Sequence, residues 1–118
     1  MLLNIIQYPS CSSCRKAQKW LESQEIPFTS THIVEATPTA EEIKTLWKNS
    51  GLPLKKFFNT SGKKYRELAL KDKLLTMTED EQLALLASDG MLIKRPIVTD
   101  GKKVTVGFKE ETFDETWK

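Results

Sequence analysis

Cys11 and Cys14 are the only cysteines among 118 residues, and they stand together in the run Cys11-Ser12-Ser13-Cys14. Two thiols at this spacing can form a disulfide and reopen it, which is thiol–disulfide exchange. The other uses of cysteine fit less well. A secreted disulfide scaffold draws on more cysteines, spaced to staple distant parts of the chain. A bridge across so short a loop removes little unfolded-state entropy. Structural zinc needs about four ligands, and the single histidine is His32. A metal half-site completed elsewhere stays open, but redox chemistry is the leading reading.

The neighbouring segments have to position this pair. Residues 2–8 are apolar and β-prone and end at Pro9-Ser10, which predicts a first strand running into the cysteine turn. A helix is expected over about Ser12 to Gln24, with Cys14, Ala17 and Leu21 on one face and Trp20 beside them. Cys11 then sits at the helix N-terminus, where free N–H groups and the dipole favour a thiolate. Arg15 and Lys16 add positive charge within the first turns. Cys14 lies one turn on and faces inward, within reach of Cys11 but shielded from partners. This gives Cys11 the attacking role and Cys14 the resolving role. The same pair also suits an oxidant sensor that closes to a disulfide.

Pro27 closes that helix, and residues 28–34 read as a second short strand. Thr39-Ala40-Glu41-Glu42 and Thr78-Glu79-Asp80-Glu81 are capping boxes opening two helices, the first stopping at Gly51 and the second near Gly90. Between them a short helix or turn is expected over Leu52 to Gly62 and a further helix over Tyr65 to Ala69. Residues 95–99 and 103–107 flank Asp100-Gly101, a strong hairpin signal, and Glu110 to Trp117 reads as a closing helix. A strand-helix-strand opening must be parallel and a hairpin antiparallel. One mixed four-stranded sheet flanked by helices accommodates both. The expected fold is therefore α/β and thioredoxin-like: a single domain over 1–118, with a helical insert at about 37–92.

Pro96 begins a predicted strand at the edge of the hairpin, where a missing N–H is tolerated. In the thioredoxin architecture a cis-proline there lies against the reactive cysteine and leaves a strand edge open to substrate. Arg95 is placed to face the same site, binding an anion or steadying the thiolate. His32 reads as a structural or surface residue, and Trp20, Trp47 and Trp117 as packing at helical-stripe positions. Asn59-Thr60-Ser61-Gly62 is a turn by composition.

Net charge is +2, from 18 basic and 16 acidic side chains, too balanced to point to nucleic acid. Residues 55–73 are locally basic. This reads as a solvated face, with docking to an acidic partner or an anionic substrate as the alternative. No apolar run approaches the roughly 18 residues of a membrane span, and the N-terminal residues lack a secretory pattern. A cytoplasmic protein with neither membrane nor direct nucleic-acid contact is expected.

Tyr8-Pro9-Ser10-Cys11-Ser12-Ser13-Cys14-Arg15-Lys16-Ala17, Thr37-Pro38-Thr39, Phe57-Phe58-Asn59-Thr60, Tyr65-Arg66-Glu67-Leu68, Lys94-Arg95-Pro96-Ile97 and Gly107-Phe108-Lys109-Glu110-Glu111 together resemble the arsenate reductase (ArsC)/Spx/MgsR family. The likeness runs over essentially the whole chain and is greatest to short Spx/MgsR-type members. It implies the same thioredoxin-like fold with a helical insert. Arsenate reductases of this family use one nucleophilic cysteine, matching Cys11, and three arginines that hold the oxyanion. Arg95 matches one arginine; Asn59 stands at a second, and Phe108 or Lys109 falls near the third. Neither Asn nor Lys replaces a guanidinium fork, so the resemblance implies a weaker hold on arsenate. Spx-like regulators use a Cys-x-x-Cys switch and bind the C-terminal domain of the RNA polymerase α-subunit. The favoured expectation is a thiol–disulfide oxidoreductase without metal or organic cofactor. Cys11 attacks, Cys14 resolves, Arg15 and Arg95 bind or tune, and Pro96 shapes the substrate edge. Its partners are a disulfide-bearing protein or small thiol, with thioredoxin or glutaredoxin as reductant. A polymerase-binding regulator and an arsenate reductase are the alternatives.

Overall fold

A computed structural model describes residues 2–118. The chain separates into two compact units, one made of the residues up to His32 with Arg95–Lys118, the other of Ile33–Lys94.

The first unit contains the sheet. Strands β1 (Leu3–Gln7), β2 (Phe28–His32), β3 (Ile97–Thr99) and β4 (Val104–Val106) lie in the order β2-β1-β3-β4. β1 pairs parallel with β2 and antiparallel with β3, and β3 pairs antiparallel with β4. This is the mixed four-stranded, thioredoxin-like sheet expected from the element order. Alternation along β1 turns Leu3 and Ile5 to one face. There they join Val98, Ala17 and Leu21 of α1 (Ser12–Ser23), and Phe113 and Trp117 of α6 (Glu110–Trp117), in one buried cluster. Trp20 meets Phe113 edge to face at 5.3 Å between ring centroids. At the far end of α6 the buried Trp117 Nε1–H donates to Thr105 Oγ1 at 3.0 Å, so its polar atom is satisfied as burial requires.

Two local expectations change here. The hairpin loop is the four residues 100–103 rather than the Asp100-Gly101 pair, because Asp100 Oδ1 accepts from the N–H groups of Lys102 and Lys103 at 2.8 and 2.7 Å. Aspartate here imitates a backbone turn and widens the connection. Pro96 lies one residue before β3, which is flanked on both sides. It is tolerated because it precedes the ladder, not because its strand is an edge. The Arg95–Pro96 peptide is cis, and Pro96 is buried.

The second unit is helical and holds the predicted insert. Helix α2 (Ala40–Ser50) opens with reciprocal bonds between Thr39 and Glu42 and stops at Gly51, whose φ is +69°. Helix α5 (Glu79–Ser88) opens with the same box between Thr78 and Glu81. Between them run a 3-10 turn (Leu54–Phe57) and two short helices, α3 (Lys63–Glu67) and α4 (Leu70–Lys73). The helix expected over Tyr65 to Ala69 forms as α3, two residues earlier at each end, and α4 follows beyond the expected span. Ala69 takes a left-handed φ of +52°, which ends α3 and restarts the chain as α4. A second 3-10 turn follows at Gly90–Leu92. There an added Cβ on Gly90 would stand 2.1 Å from the Ile33 carbonyl oxygen, so only glycine fits. Among the described residues no helix is long and apolar enough to cross a membrane.

Candidate functional site

β1 delivers the chain to the cysteines. Its last turn is closed by the Cys11 N–H donating to the Tyr8 carbonyl at 3.1 Å, and α1 begins when the Arg15 N–H donates to the Cys11 carbonyl at 3.1 Å. Cys11 is therefore the N-cap of α1, with extended φ and ψ of −92° and 118°. A cap side chain normally uses oxygen to accept a free N–H of the first turn. Here sulfur does so, and the Cys14 N–H donates to Cys11 Sγ at 3.2 Å.

Neither cysteine is in a disulfide. Cys11 is partly exposed while Cys14 is buried, as the inward face of α1 predicts. Burial pushes the Cys14 thiol up to about 12. Its hydrogen bond to Cys11 and the charge there push the same way. A backbone hydrogen bond from Tyr8 and the Arg95 charge pull against them. Cys14 thus holds its proton while Cys11 is free, and its N–H points at Cys11 Sγ.

Arg95, next to the cis-proline, belongs to this group. Its guanidinium carbon lies 5.2 Å from the Tyr8 ring centroid, a cation–π distance. Its Nε and Nη1 are buried and make no hydrogen bond. Two buried donors without acceptors are costly and ask for an explanation, and an anion bound beside the cysteines would supply it. The other face of the arrangement is aromatic: the Tyr8 ring meets His32 edge on at 5.6 Å. Arg15 is exposed on α1 and lines a hollow with Gln7, Gln18, Ser30 and others.

The five residues singled out from sequence all fall in this unit. Cys14 feels both Cys11 and Arg95, Pro96 adjoins Arg95, and Arg15 stands one turn along α1. What the sequence reading missed is Tyr8. Its backbone holds both cysteines and its ring carries Arg95, yet a tyrosine at a strand end advertises neither role. His32, expected to be structural, is the ring that abuts it. Among the described residues no group of three or more histidine, cysteine or carboxylate side chains is arranged to hold a metal.

Comparison with known proteins follows this geometry. The model of the ArsC family matches residues 6–116. The chain is 63% identical over 117 residues, 99% of each chain, to the protein of Bacillus subtilis (strain 168) called uncharacterized protein YusI. It is 35% identical to the regulatory protein MgsR of the same organism, across 90% of this chain and 82% of that one. Among solved structures, an ArsC family related protein from Bacteroides fragilis superposes with a TM-score of 0.94 at 53% identity, covering 98% and 97% of the two chains. Arsenate reductase from Vibrio cholerae superposes with a TM-score of 0.87 at 30% identity, covering 98% and 97%.

Proposed function

The chain belongs to the ArsC family, and from that premise we propose that it is a cytoplasmic thiol–disulfide oxidoreductase in which Cys11 attacks and Cys14 resolves. The observation that carries this reading is the asymmetry of the pair: the partly exposed Cys11 sulfur accepts from the Cys14 N–H, while the Cys14 thiol is buried and kept protonated.

The asymmetry orders the steps. Cys11 as thiolate attacks a substrate disulfide, a mixed disulfide forms at Cys11, and the first substrate thiolate leaves. Cys11 has then lost its negative charge and its role as acceptor. Two of the causes that hold Cys14 protonated go with it, while burial, the largest, stays and the Tyr8 bond and the Arg95 charge go on opposing it. Cys14 therefore gives up its proton more readily after Cys11 has reacted than before. It attacks Cys11 Sγ, the second substrate thiol departs, and the Cys11–Cys14 disulfide results. A dithiol reductant such as thioredoxin or glutaredoxin takes that disulfide back to two thiols. Arg95 steadies the sulfurs or an anionic substrate group, Arg15 adds charge beside Cys11, and Pro96 leads the chain from Arg95 into β3.

The test is a trap. With Cys14→Ser as bait in cytoplasmic extract, proteins or small thiols should resist a salt wash and leave only with reductant. Cys11→Ser should capture none. Empty reductant eluates with the Cys14→Ser bait would end this reading.

The likeness to MgsR, named as a regulatory protein, favours a second reading in which the pair is a redox switch on a regulator. Its partner would be the C-terminal domain of the RNA polymerase α-subunit, which would leave in the salt wash. The unpartnered Arg95 donors and the Vibrio cholerae neighbour favour a third, arsenate reduction. It predicts arsenate-dependent turnover that disappears in Arg95→Ala.

A further inference from the structure

Beside the cysteine turn lies a hollow that Arg15, Gln18 and Ser30 line with hydrogen-bond donors, next to Gln7, Tyr8 and His32. It sits within the sheet unit between α1 and the edge strand β2 and has a volume of about 220 Å3. Pro9 and Arg15, which stand on either side of Cys11 in the chain, both line it. The hollow therefore lies beside the turn that carries Cys11.

Its hydrogen bonds fix what it offers a ligand. Gln7 Nε2 donates to Gln18 Oε1 at 3.0 Å and to Ser30 Oγ at 2.7 Å. Gln18 thus has its carbonyl oxygen occupied and its NH2 group to give, and the Ser30 hydroxyl retains its proton to donate. Arg15 is exposed and, among the described residues, has no carboxylate partner. A guanidinium, an amide NH2 and a hydroxyl together suit a negatively charged acceptor, and a carboxylate has two oxygens to meet them. The space falls below the roughly 300 Å3 at which pockets take whole small ligands. It fits one arm of a substrate whose other end is at Cys11.

We propose that this hollow is a subsite for a carboxylate carried close to the disulfide that Cys11 attacks. This rests on the reading of Cys11 as the attacking thiol. In the reaction that it serves, the Cys11 thiolate bonds to the nearer substrate sulfur, the substrate S–S bond breaks and one thiolate leaves. Cys14 then displaces the second, so that one substrate disulfide becomes two thiols and the protein becomes the disulfide. The same carboxylate chemistry occurs in a small peptide disulfide and in an acidic side chain beside a protein cysteine.

The experiment follows single-turnover loss of thiols when the reduced protein meets disulfides of different charge. The probes are glutathione disulfide (anionic), hydroxyethyl disulfide (neutral), cystamine (cationic), and a peptide disulfide with glutamate next to cysteine. Wild type should prefer the carboxylate-bearing probes to the neutral and cationic ones. Arg15→Gln should cut the ratio of anionic to neutral rates by about fivefold, the upper range for an exposed charge pair. Taking a ratio removes any general effect of Arg15 on the sulfur, which is common to all probes. Gln18→Leu and Ser30→Ala should lower the ratio in the same sense by less. Lys19→Gln, one turn further along α1 and outside the hollow, should leave it unchanged. Preference for glutathione disulfide over the peptide would identify a small thiol as the source of the carboxylate, and the reverse a protein. If every probe reacts but the ratio ignores Arg15, or falls equally in Lys19→Gln, the subsite is overturned while Cys11 keeps its role. If wild type reacts with none, the attacking role of Cys11 fails first.

Discussion

Tyr8 joins groups that the sequence keeps far apart. Its carbonyl accepts from Cys11, its backbone bonds to Cys14, and its ring lies 5.2 Å from the Arg95 guanidinium. A cation over an aromatic face is worth about 0.5–1 kcal/mol at an exposed site and roughly 2 when desolvated. With Nε and Nη1 of Arg95 unpaired, the ring is a main restraint on where that charge sits. Tyr8→Phe keeps the ring and should leave exchange kinetics within about twofold. Tyr8→Leu removes the quadrupole and should slow the second thiol release, the step made by Cys14, by about fivefold for a loss near 1 kcal/mol. First release by Cys11 should change less. Two-phase product release in stopped flow separates the steps, and identical behaviour of the two variants would deny the ring any positioning role. The cysteines and Arg95 were legible because their types carry chemistry. Tyr8 was not, since its part depends on where residue 95 arrives after a long excursion of the chain.

At the scale of elements, local rules performed well where one residue decides the outcome. Both capping boxes form, Gly51 stops α2, and Cys14 takes the buried face of α1. The failures are places where a backbone state ran against residue type. Nothing about Ala69 suggests a left-handed conformation, yet it holds φ +52° and divides α3 from α4. The cost for an ordinary L-residue is about 1–2 kcal/mol, against roughly 0.5–1 lost when glycine adds freedom to the unfolded chain. Ala69→Gly should therefore stabilise the protein by about 0.5–1 kcal/mol in denaturant melts, without altering the denaturant slope. Gly90 is the opposite case. Its φ needs no glycine, but the Ile33 carbonyl occupies the place of a side chain. Gly90→Ala should cost about 2–3 kcal/mol, as overpacking against an unyielding backbone does. A neutral effect would mean that the Gly90–Leu92 turn moves aside freely.

The fold as a whole was readable because order constrains topology: a parallel crossover and an antiparallel hairpin share few sheets, and β2-β1-β3-β4 is one of them. The protonation of Cys14 was not readable, because it is a property of the folded molecule. Burial comes first among its causes, and Cys11 and Arg95 add contributions of opposite sign. It also links the chemistry of the pair to overall stability. Folding raises the Cys14 thiol from an ordinary value of 9.0 to about 12. Between those values the unfolded chain has released a proton that the folded chain retains. Stability then falls as pH rises. The contribution is complete below about pH 9 and is lost by about pH 12. Lysines and tyrosines titrate in the same range, so the informative quantity is a difference. In denaturant melts with reductant present, wild type should lose stability with rising pH more steeply than Cys14→Ala. Cys11→Ser removes one source of the raised value and should fall between them, with the window narrowed from its upper end. Parallel curves for all three would mean that folding does not hold the Cys14 proton, and the ordered release of Cys14 after Cys11 has reacted would lose its physical basis.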